Sequence, residues 1–435
     1  MLLCATMTAQ ADETKMVPLV GNVLNRQTTS LNGEWRYIVD VQESGYYGYR
    51  REKIRNGYFR NQKPQKPEDL IEYDFDQSDR MQIPSDWNTR DERLFFYEGT
   101  VWFKRSFNYQ PKAGHRTLLY FGAVNYEAIV FVNGTEVGRH VGGFTPFNFD
   151  VTDLLREGEN FVIVKVDNKR SRENVPTLIF DWWNYGGITR DVLLVSVPNT
   201  YIENYSLQLN RQNPKLLDFS LQLSAKEAGR QIRLSIPELK LKQTVTTDAE
   251  GRATATLKTK KLQLWSPESP KHYRVELSLA PTASPAAPGS VVGDSFADSI
   301  GFRTIATRGK QLLLNGQPIF LRDVNDASKM TWEIPYDKPV IISEFGGGAK
   351  AGFHGQKNLR FTEEFQENLY RENTAMLDKI DGLAGTTPWI LKDFRSPRRL
   401  LPGIQDYYNR KGLFSDDGRK KKAFYVLKQW YEGKK

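Results

Sequence analysis

Hydrophobic and polar residues alternate in short runs along most of the first 300 positions, and turn-forming residues separate the runs. Residues 35–39, 101–107 and 161–166 show this pattern, which favours β-strands. Asn133-Gly134 follows another run and indicates a two-residue hairpin turn. Many strands and few helical patterns predict a β-sandwich of jelly-roll type over residues 28–198.

The alternation continues over residues 199–303, for example at 230–236 and 273–279. These strands predict a smaller, immunoglobulin-like β-sandwich. A stretch rich in proline, alanine and serine at 280–289 is expected to be an exposed loop between two strands. Nothing in this region suggests catalysis, so its predicted role is that of a spacer.

The pattern changes in residues 304–435. Val340, Ile341 and Ile342 form a uniformly apolar run, and Glu344 and three glycines follow it closely. Such a run predicts a buried parallel strand that presents Glu344 at its carboxyl end, where barrel enzymes keep their chemistry. The glycines would let the chain turn sharply and let a ligand approach. The alternative is a glycine-rich loop in which Glu344 is merely solvated.

Two helices are predicted after this strand. Phe361, Phe365 and Leu369 recur every four residues, which indicates an amphipathic helix over residues 362–380. Apolar residues three and four positions apart predict a final helix over residues 423–430. The third region therefore mixes strands and helices, unlike the two regions before it.

The stretch Ile341-Ile-Ser-Glu-Phe-Gly346 resembles the nucleophile strand of glycoside hydrolase family 2, which contains β-glucuronidases, β-galactosidases and β-mannosidases. The N-terminal region resembles the family's sugar-binding-type domain, and the second region its immunoglobulin-like domain. The similar segments in these two regions are Leu31-Asn-Gly-Glu-Trp35, residues 131–138, residues 181–190 and residues 264–273. The resemblance implies that Glu344 attacks the anomeric carbon of a β-glycoside and forms a covalent glycosyl-enzyme, with retention of configuration.

The resemblance also implies residues that bind the sugar. Asp181 lies in a loop whose acid hydrogen-bonds sugar hydroxyls in relatives, and Trp389 matches a tryptophan that forms a wall of the subsite. Asn409 and Lys411 match an Asn-x-Lys motif that holds the C6 carboxylate in the family's β-glucuronidases. A terminal β-D-glucuronide is therefore the expected substrate, and a β-galactoside or β-galacturonide remains an alternative. For Asp181 and Trp389, ordinary packing is also an alternative.

The third region resembles a (β/α)₈ TIM barrel with its middle missing. Two apolar runs around Asn315-Gly316 predict a hairpin that resembles the entry into the barrel, and residues 387–395 are interpreted as the last strand. A complete barrel needs at least about 200 residues, and residues 304–435 are too few. The missing strands would fall near residues 323–326. The expected fold is thus multi-domain and mainly β, with an incomplete barrel.

The gap also removes a catalytic group. A retaining glycosidase uses a second carboxyl group as acid and base, and the family supplies it from an Asn-Glu pair that occurs nowhere in this chain. Glu333, Glu363 and Glu364 are expected at the surface. Activity is therefore in doubt, and three explanations stand: a weakened glycosidase, a non-catalytic remnant that binds carbohydrate, or an error in the assembled gene.

Composition narrows these predictions. The 435 residues suffice for about three domains. The net charge of +9 could steer an anionic sugar, but no nucleic-acid motif accompanies it. Cys4 is the only cysteine, and the four histidines show no metal-ligand spacing, so no metal is implied. The resemblance adds no organic cofactor. The expected partner is a carbohydrate, and a homo-oligomer is left open.

The first residues bear on localisation. Residues 1–11 resemble the end of a secretory signal, with Ala9-Gln10-Ala11 as the cleavage site. A periplasmic or secreted protein is therefore expected. No apolar run approaches the roughly 20 residues of a membrane span, so the chain is not expected to cross a membrane.

Overall fold

A computed structural model describes residues 17–54, 65–69, 71, 73–281, 293–322 and 337–434. The predicted signal at 1–11, the predicted gap at 323–326 and Glu333 lie outside these ranges. The chain divides into two compact units. The first contains the described residues of Met1–Leu178, Asn184–Leu262 and Tyr273–Ile300, and the second those of Ile179–Trp183, Gln263–His272 and Gly301–Lys435.

Almost all helices and strands of the first unit are strands. Its described elements are β1 (Gln27–Ser30), β2 (Gly33–Val39), β3 (Arg80–Ile83), α1 (Trp87–Arg90), β4 (Thr100–Tyr109), β5 (His115–Phe121), β6 (Val124–Asn125), β7 (Glu127–Val132), β8 (Thr135–Val141), β9 (Phe147–Asp150), β10 (Gly158–Asp167), β11 (Gly187–Ile188), β12 (Val192–Pro198), β13 (Ile202–Leu209), β14 (Leu216–Leu223), β15 (Gln231–Ile236), β16 (Leu241–Thr246), β17 (Arg252–Lys258), β18 (Tyr273–Leu279) and β19 (Ser295–Ile300).

Two antiparallel sheets of the first unit share one apolar core. Their strand orders are β3-β2-β4-β10-β7-β8 and β1-β12-β5-β9. Phe103 and Val164 of the first sheet and Phe121 and Leu194 of the second belong to the same buried cluster. Successive side chains of a strand point to opposite faces, so the alternation in the sequence delivers these residues to the core. The predicted turn at Asn133-Gly134 joins β7 to β8 and is confirmed.

Two further antiparallel sheets follow in the first unit, with the orders β13-β14-β17 and β16-β15-β18-β19. Alternate residues are buried along their central strands, for example Leu217 and Phe219 of β14 and Ile232 and Leu234 of β15. The predicted strands at 230–236 and 273–279 are confirmed as β15 and β18.

The second unit contains both helices and strands. Its described elements are β20 (Ile305–Arg308), β21 (Gln311–Leu314), β22 (Gln317–Pro318), β23 (Leu321–Arg322), β24 (Val340–Ile342), α2 (Glu363–Leu377), β25 (Leu383–Thr386), β26 (Phe394–Arg395), β27 (Tyr408–Asn409) and α3 (Lys422–Glu432).

Three strands of this unit form a parallel sheet with the order β23-β25-β24. Ile342 of β24 belongs to a buried cluster with Tyr370 of α2 and Val426 of α3. The buried face of α2 also includes Gln366 and Leu377. Phe365 and Leu369, from which the helix was predicted, are only half-buried.

Most predictions for the second unit are confirmed. The hairpin around Asn315-Gly316 is formed by β21 and β22, and the two helices are α2 and α3. The strand predicted at 387–395 is wrong, because the parallel strand is Leu383–Thr386. Within 387–395, Lys392 forms an isolated bridge with Phe414, and Phe394–Arg395 is a separate short strand. Pro388 lacks an N–H group and interrupts the ladder after Thr387.

The described chain is therefore mainly β and has more than one compact unit. Among the described residues, every helix is too short or too polar to cross a membrane.

Candidate active site

Glu344 lies two residues beyond the end of β24, at the carboxyl edge of the parallel sheet. The Thr387 amide donates to the Ile342 carbonyl at 2.7 Å, and the Trp389 amide donates to the Phe345 carbonyl at 2.8 Å. These bonds place the backbones of Glu344 and Trp389 in neighbouring segments. Glu344 is half-buried, and its carboxylate accepts no hydrogen bond from the residues that the structure describes.

Gly346 allows these two segments to approach. Its φ of 150° is unfavourable for residues with a side chain, and a Cβ atom there would collide with the Trp389 carbonyl oxygen. The glycine after Glu344 is therefore required by the backbone that carries Trp389. The sequence predicted a close approach of a ligand here, and the structure shows a close approach of the chain itself.

Asp181 is held by three residues of the second unit. Its Oδ1 accepts from Ser396 Oγ at 2.7 Å and from Arg399 Nε at 2.8 Å. Its Oδ2 accepts from Arg399 Nη2 and, at 2.8 Å, from Asn409 Nδ2. Burial raises the pKa of the Asp181 carboxyl, but the hydrogen bonds from Arg399 and Ser396 outweigh burial and leave the pKa below its usual value. Two carboxylate oxygens offer about four acceptor positions, and protein donors use all of them.

Asn409 connects Asp181 to the Asn-x-Lys motif. Its Nδ2 donates to Asp181, and its Oδ1 accepts from the Lys411 amide at 3.0 Å. Asn409 is buried, whereas Lys411 is half-buried. The Lys411 ammonium makes no hydrogen bond or ion pair with the part of the chain that the structure describes. The structure thus brings Asp181, Asn409 and the Lys411 backbone together.

A cavity of about 270 Å³ borders this cluster. One wall is apolar and consists of Phe361, Phe365 and Leu369, and the glycines 346–348 also line the cavity. The polar wall contains Arg360, Arg399, Gln405, Asn409, Arg410 and Lys411. No aspartate or glutamate is among its described lining residues, and neither is Glu344 or Trp389. The cavity is therefore rich in positive charge.

A buried ion cluster lies behind the Asn-x-Lys motif. Lys421 Nζ donates to Asp393 Oδ1 at 2.7 Å, and neither side chain is exposed. Asp393 Oδ1 also accepts from the Gly412 amide at 2.9 Å, and Arg410 Nη1 lies 3.4 Å from Asp393 Oδ2. Burial raises the pKa of the Asp393 carboxyl and lowers that of the Lys421 ammonium.

Two family models match this chain between residues 28 and 303. Residues 28–198 match the model described as "Glycosyl hydrolases family 2, sugar binding domain", and residues 200–303 match "Glycosyl hydrolases family 2". The chain belongs to glycoside hydrolase family 2.

Among curated relatives, this chain is similar to the β-glucuronidase of Felis catus. The two are 27% identical over 397 residues, which cover 82% of this chain and 58% of the relative. The β-glucuronidase of Paenibacillus borealis is 25% identical over 395 residues, covering 84% of this chain and 61% of the relative. The chain therefore spans about three fifths of the length of these relatives.

The fold is similar to that of a solved β-glucuronidase from Bifidobacterium dentium, whose structure contains coumarin-3-O-glucuronide. The TM-score is 0.75 with 18% sequence identity, and the match covers 95% of this chain and 98% of that chain. This likeness concerns the fold alone.

One expectation about the acidic residues is wrong. Glu363 was expected at the surface, but it is buried. Its carboxylate is satisfied there, because it accepts from the Gly352 amide at 2.7 Å and from the Lys422 amide at 3.0 Å. It thereby satisfies the first amide of α3. Glu364 remains partly exposed and pairs with Lys422 Nζ at 2.7 Å. Both carboxylates therefore have partners.

Sequence reasoning missed several residues around the cavity. Arg360 and Arg399 carried no motif, and Phe365 and Leu369 were interpreted as the buried stripe of a helix. The apolar residues of this helix follow the glycines after Glu344 closely in the sequence. That closeness could have indicated that both line one cavity. Among the described residues, no group of three or more histidine, cysteine, aspartate or glutamate side chains could hold a metal ion.

Proposed function

We propose that this chain carries the uronic-acid-binding end of a retaining β-glucuronidase. The observation that carries the proposal is the basic cavity beside Asn409 and Lys411, which is lined by four cationic residues and no described carboxylate. Arg399 and Arg410 are paired with aspartates. Lys411 has no such partner among the described residues. An anionic sugar would supply the missing negative charge.

In this proposal Asn409 and Lys411 bind the C6 carboxylate. The Asn409 amide has two N–H donors and uses one on Asp181, which leaves the other for a ligand. Lys411 adds a charge-assisted hydrogen bond. Trp389 would stack on the apolar face of the sugar, and Glu344 would attack the anomeric carbon. Asp181 would contact a sugar hydroxyl only by exchanging one of its present donors.

The proposal includes a finer fold assignment: a jelly roll at 28–198, an immunoglobulin-like sandwich at 199–303 and an incomplete TIM barrel at 304–435. The parallel order β23-β25-β24 supports the barrel assignment. In a closed barrel the last strand lies between the first strand and the one before last, and β25 lies between β23 and β24 in this way. The family matches end at residues 198 and 303, which supports the first two assignments.

A second candidate function is carbohydrate binding without hydrolysis. It is favoured by the absence of an Asn-Glu dipeptide from the sequence and by the three-stranded extent of the parallel sheet in the described residues. An acid/base residue contributes about 10²–10⁴ to the rate. The purified chain is therefore expected to turn over p-nitrophenyl β-D-glucuronide at least several hundredfold more slowly than an intact relative.

The test measures turnover and binding together. The wild-type chain and Glu344→Gln are assayed with p-nitrophenyl β-D-glucuronide, β-D-galacturonide and β-D-galactoside, and binding is measured by calorimetry. Glucuronide binding that needs Lys411, with residual turnover abolished by Glu344→Gln, supports the glycosidase. Binding with no Glu344-dependent turnover supports the second candidate. Preference for the galactoside, or no binding of any sugar, contradicts the proposal.

Two related proposals have direct tests. Resequencing the locus would decide whether codons are missing between those for residues 323 and 328; roughly 100 or more additional codons would restore a complete barrel. We also propose export to the periplasm or beyond the cell. Detecting the protein in the periplasmic or culture fraction, cleaved after Ala11, would support this localisation.

A further inference from the structure

We propose that the buried pair Asp393–Lys421 is a positioning device that holds the Asn-x-Lys motif against the glycine turn after Glu344, and so sets the affinity for the uronate carboxylate. The inference rests on the proposed function for its ligand. Neither residue touches the proposed sugar site, because neither lines the cavity.

The contacts of Lys421 carry the argument. Its ammonium donates to three oxygens: the Ala349 carbonyl at 2.6 Å, the Arg410 carbonyl at 3.0 Å and Asp393 Oδ1 at 2.7 Å. An ammonium has three N–H donors, so every donor is used. Two of the three acceptors are backbone atoms, one directly after the glycine turn and one within the Asn-x-Lys motif.

Asp393 completes the connection from the other side. Its Oδ1 accepts from the amide of Gly412, which directly follows Lys411. The Ala349 amide also donates to the Arg410 carbonyl at 2.8 Å. The pair therefore fixes the backbone on both sides of Lys411, while the Lys411 ammonium itself is left free of partners among the described residues.

Gln366 provides a second connection between the same two segments. Its Nε2 donates to the Gly347 carbonyl at 2.8 Å and to the Gly412 carbonyl at 3.1 Å, and the side chain is fully buried. Two independent buried donors thus bridge the glycine turn and the motif. Burying polar groups in this way costs free energy, and Gln366 Oε1 is buried without a hydrogen-bond partner among the described residues. The two bridges therefore point to a demand for a defined geometry rather than for stability alone.

Replacing both residues of the buried pair tests their positioning role without leaving an unpaired charge that could unfold the protein. Loss of one partner leaves an unpaired buried charge, whereas replacing both partners by apolar residues of similar volume is often neutral for stability. The main variant is therefore the double substitution Asp393→Leu/Lys421→Met. Arg410, which also faces Asp393, keeps its ion pair with Asp416 at 2.7 Å in this variant. The matched control is Lys422→Met, which makes the same change at the next residue, where Nζ pairs with the partly exposed Glu364.

Two measurements are made on the full chain. Calorimetry compares D-glucuronate with methyl β-D-glucoside, which lacks the carboxylate. The double variant is expected to lose about tenfold or more in glucuronate affinity with little change for the glucoside, and Lys422→Met to change neither. Hydrogen exchange followed by mass spectrometry is expected to show faster exchange in peptides covering 346–350 and 409–413 in the double variant only.

The outcomes separate the inference from the proposed function. If the wild-type chain binds no glucuronate, the proposed function fails, and hydrogen exchange alone decides the positioning role. If glucuronate binds and the double variant binds it equally well with unchanged exchange, the positioning role is rejected and the function stands. Equal losses for both sugars, or unfolding of the double variant, would assign the pair to structural support and also reject the inference.

Discussion

The paired sheets of the first unit and the loops at the parallel sheet of the second are held together by different forces. In the first unit, β10 pairs with β4 along its whole length, from Gly158 opposite Tyr109 to Asp167 opposite Thr100. In the second, β24 pairs with β25 over only a few residues. The loops beyond these short strands are fixed instead by buried polar side chains. Apolar truncations should therefore be most damaging in the first unit, and polar ones in the second.

The largest effect is expected from an apolar truncation in the first unit. Phe103 is fully buried between two sheets, so Phe103→Ala should lower the free energy of unfolding by about 3–5 kcal/mol. Phe365 lines a cavity and is only half-buried, so Phe365→Ala should cost far less. Urea unfolding, with hydrogen exchange assigning the loss to each unit, measures both. Equal losses would contradict the comparison.

The second-largest effect is expected from a polar substitution, and here the second unit should lose more stability than the first. Asp393→Asn leaves the Lys421 charge buried without its carboxylate and should cost about 3 kcal/mol of unfolding free energy. The first unit offers a matched pair, because buried Lys165 donates to Glu43 at 2.9 Å. Glu43→Gln should cost less, since Lys165 lies within a long strand and Glu43 also faces the partly exposed Lys169. The same unfolding experiment compares them, and a larger loss for Glu43→Gln would refute this order.

The same difference explains what could be predicted from the sequence. Alternation is a local property, so strands such as β10 and β15 were predictable. Hydrogen bonding by Asp181 depends on Arg399 and Asn409, which lie more than 200 positions away. Lys421 belongs to a basic run that suggests a solvated surface, yet it is fully buried. Contacts between distant segments decide the role of such residues, and a single sequence does not contain them.

The motif residues were predictable only in part. The apolar run and glycines placed Glu344 at the end of a parallel strand, because both features are local. The family resemblance singled out Asn409 and Lys411, because an Asn-x-Lys spacing alone is common by chance. The sequence could not show that the Asn409 amide donates to Asp181 and accepts from the Lys411 amide.

A smaller effect should come from the helix caps. Thr362 is buried and its hydroxyl accepts from the Phe365 amide at 3.1 Å at the start of α2, which packs against the parallel sheet. Thr362→Ala should cost about 1 kcal/mol. Asp86 is half-buried and caps the short α1 of the first unit through an exposed hydrogen bond of 2.8 Å from the Thr89 amide, so Asp86→Ala should cost less. Thermal melting of both variants tests the order, and a larger loss for Asp86→Ala than for Thr362→Ala would contradict it.

The smallest effect is expected from a surface ion pair of the second unit. The hydrogen bond from Lys422 lowers the pKa of Glu364 to about 2, against about 4.3 in an unfolded chain. The stabilisation is therefore present above about pH 4.3 and is lost as the pH falls toward 2. Because the pair is partly exposed, we expect less than about 1 kcal/mol.

Glu364→Gln should therefore lower the free energy of unfolding slightly at pH 7, and the difference from wild type should shrink at pH 3. Glu432→Gln is the matched control, because Glu432 lies 3.8 Å from Lys428 and both side chains are well exposed. It should change stability at neither pH. A Glu364 effect as large as that of Asp393→Asn would mean that charge at the surface, and not buried polar bonding, holds the second unit together.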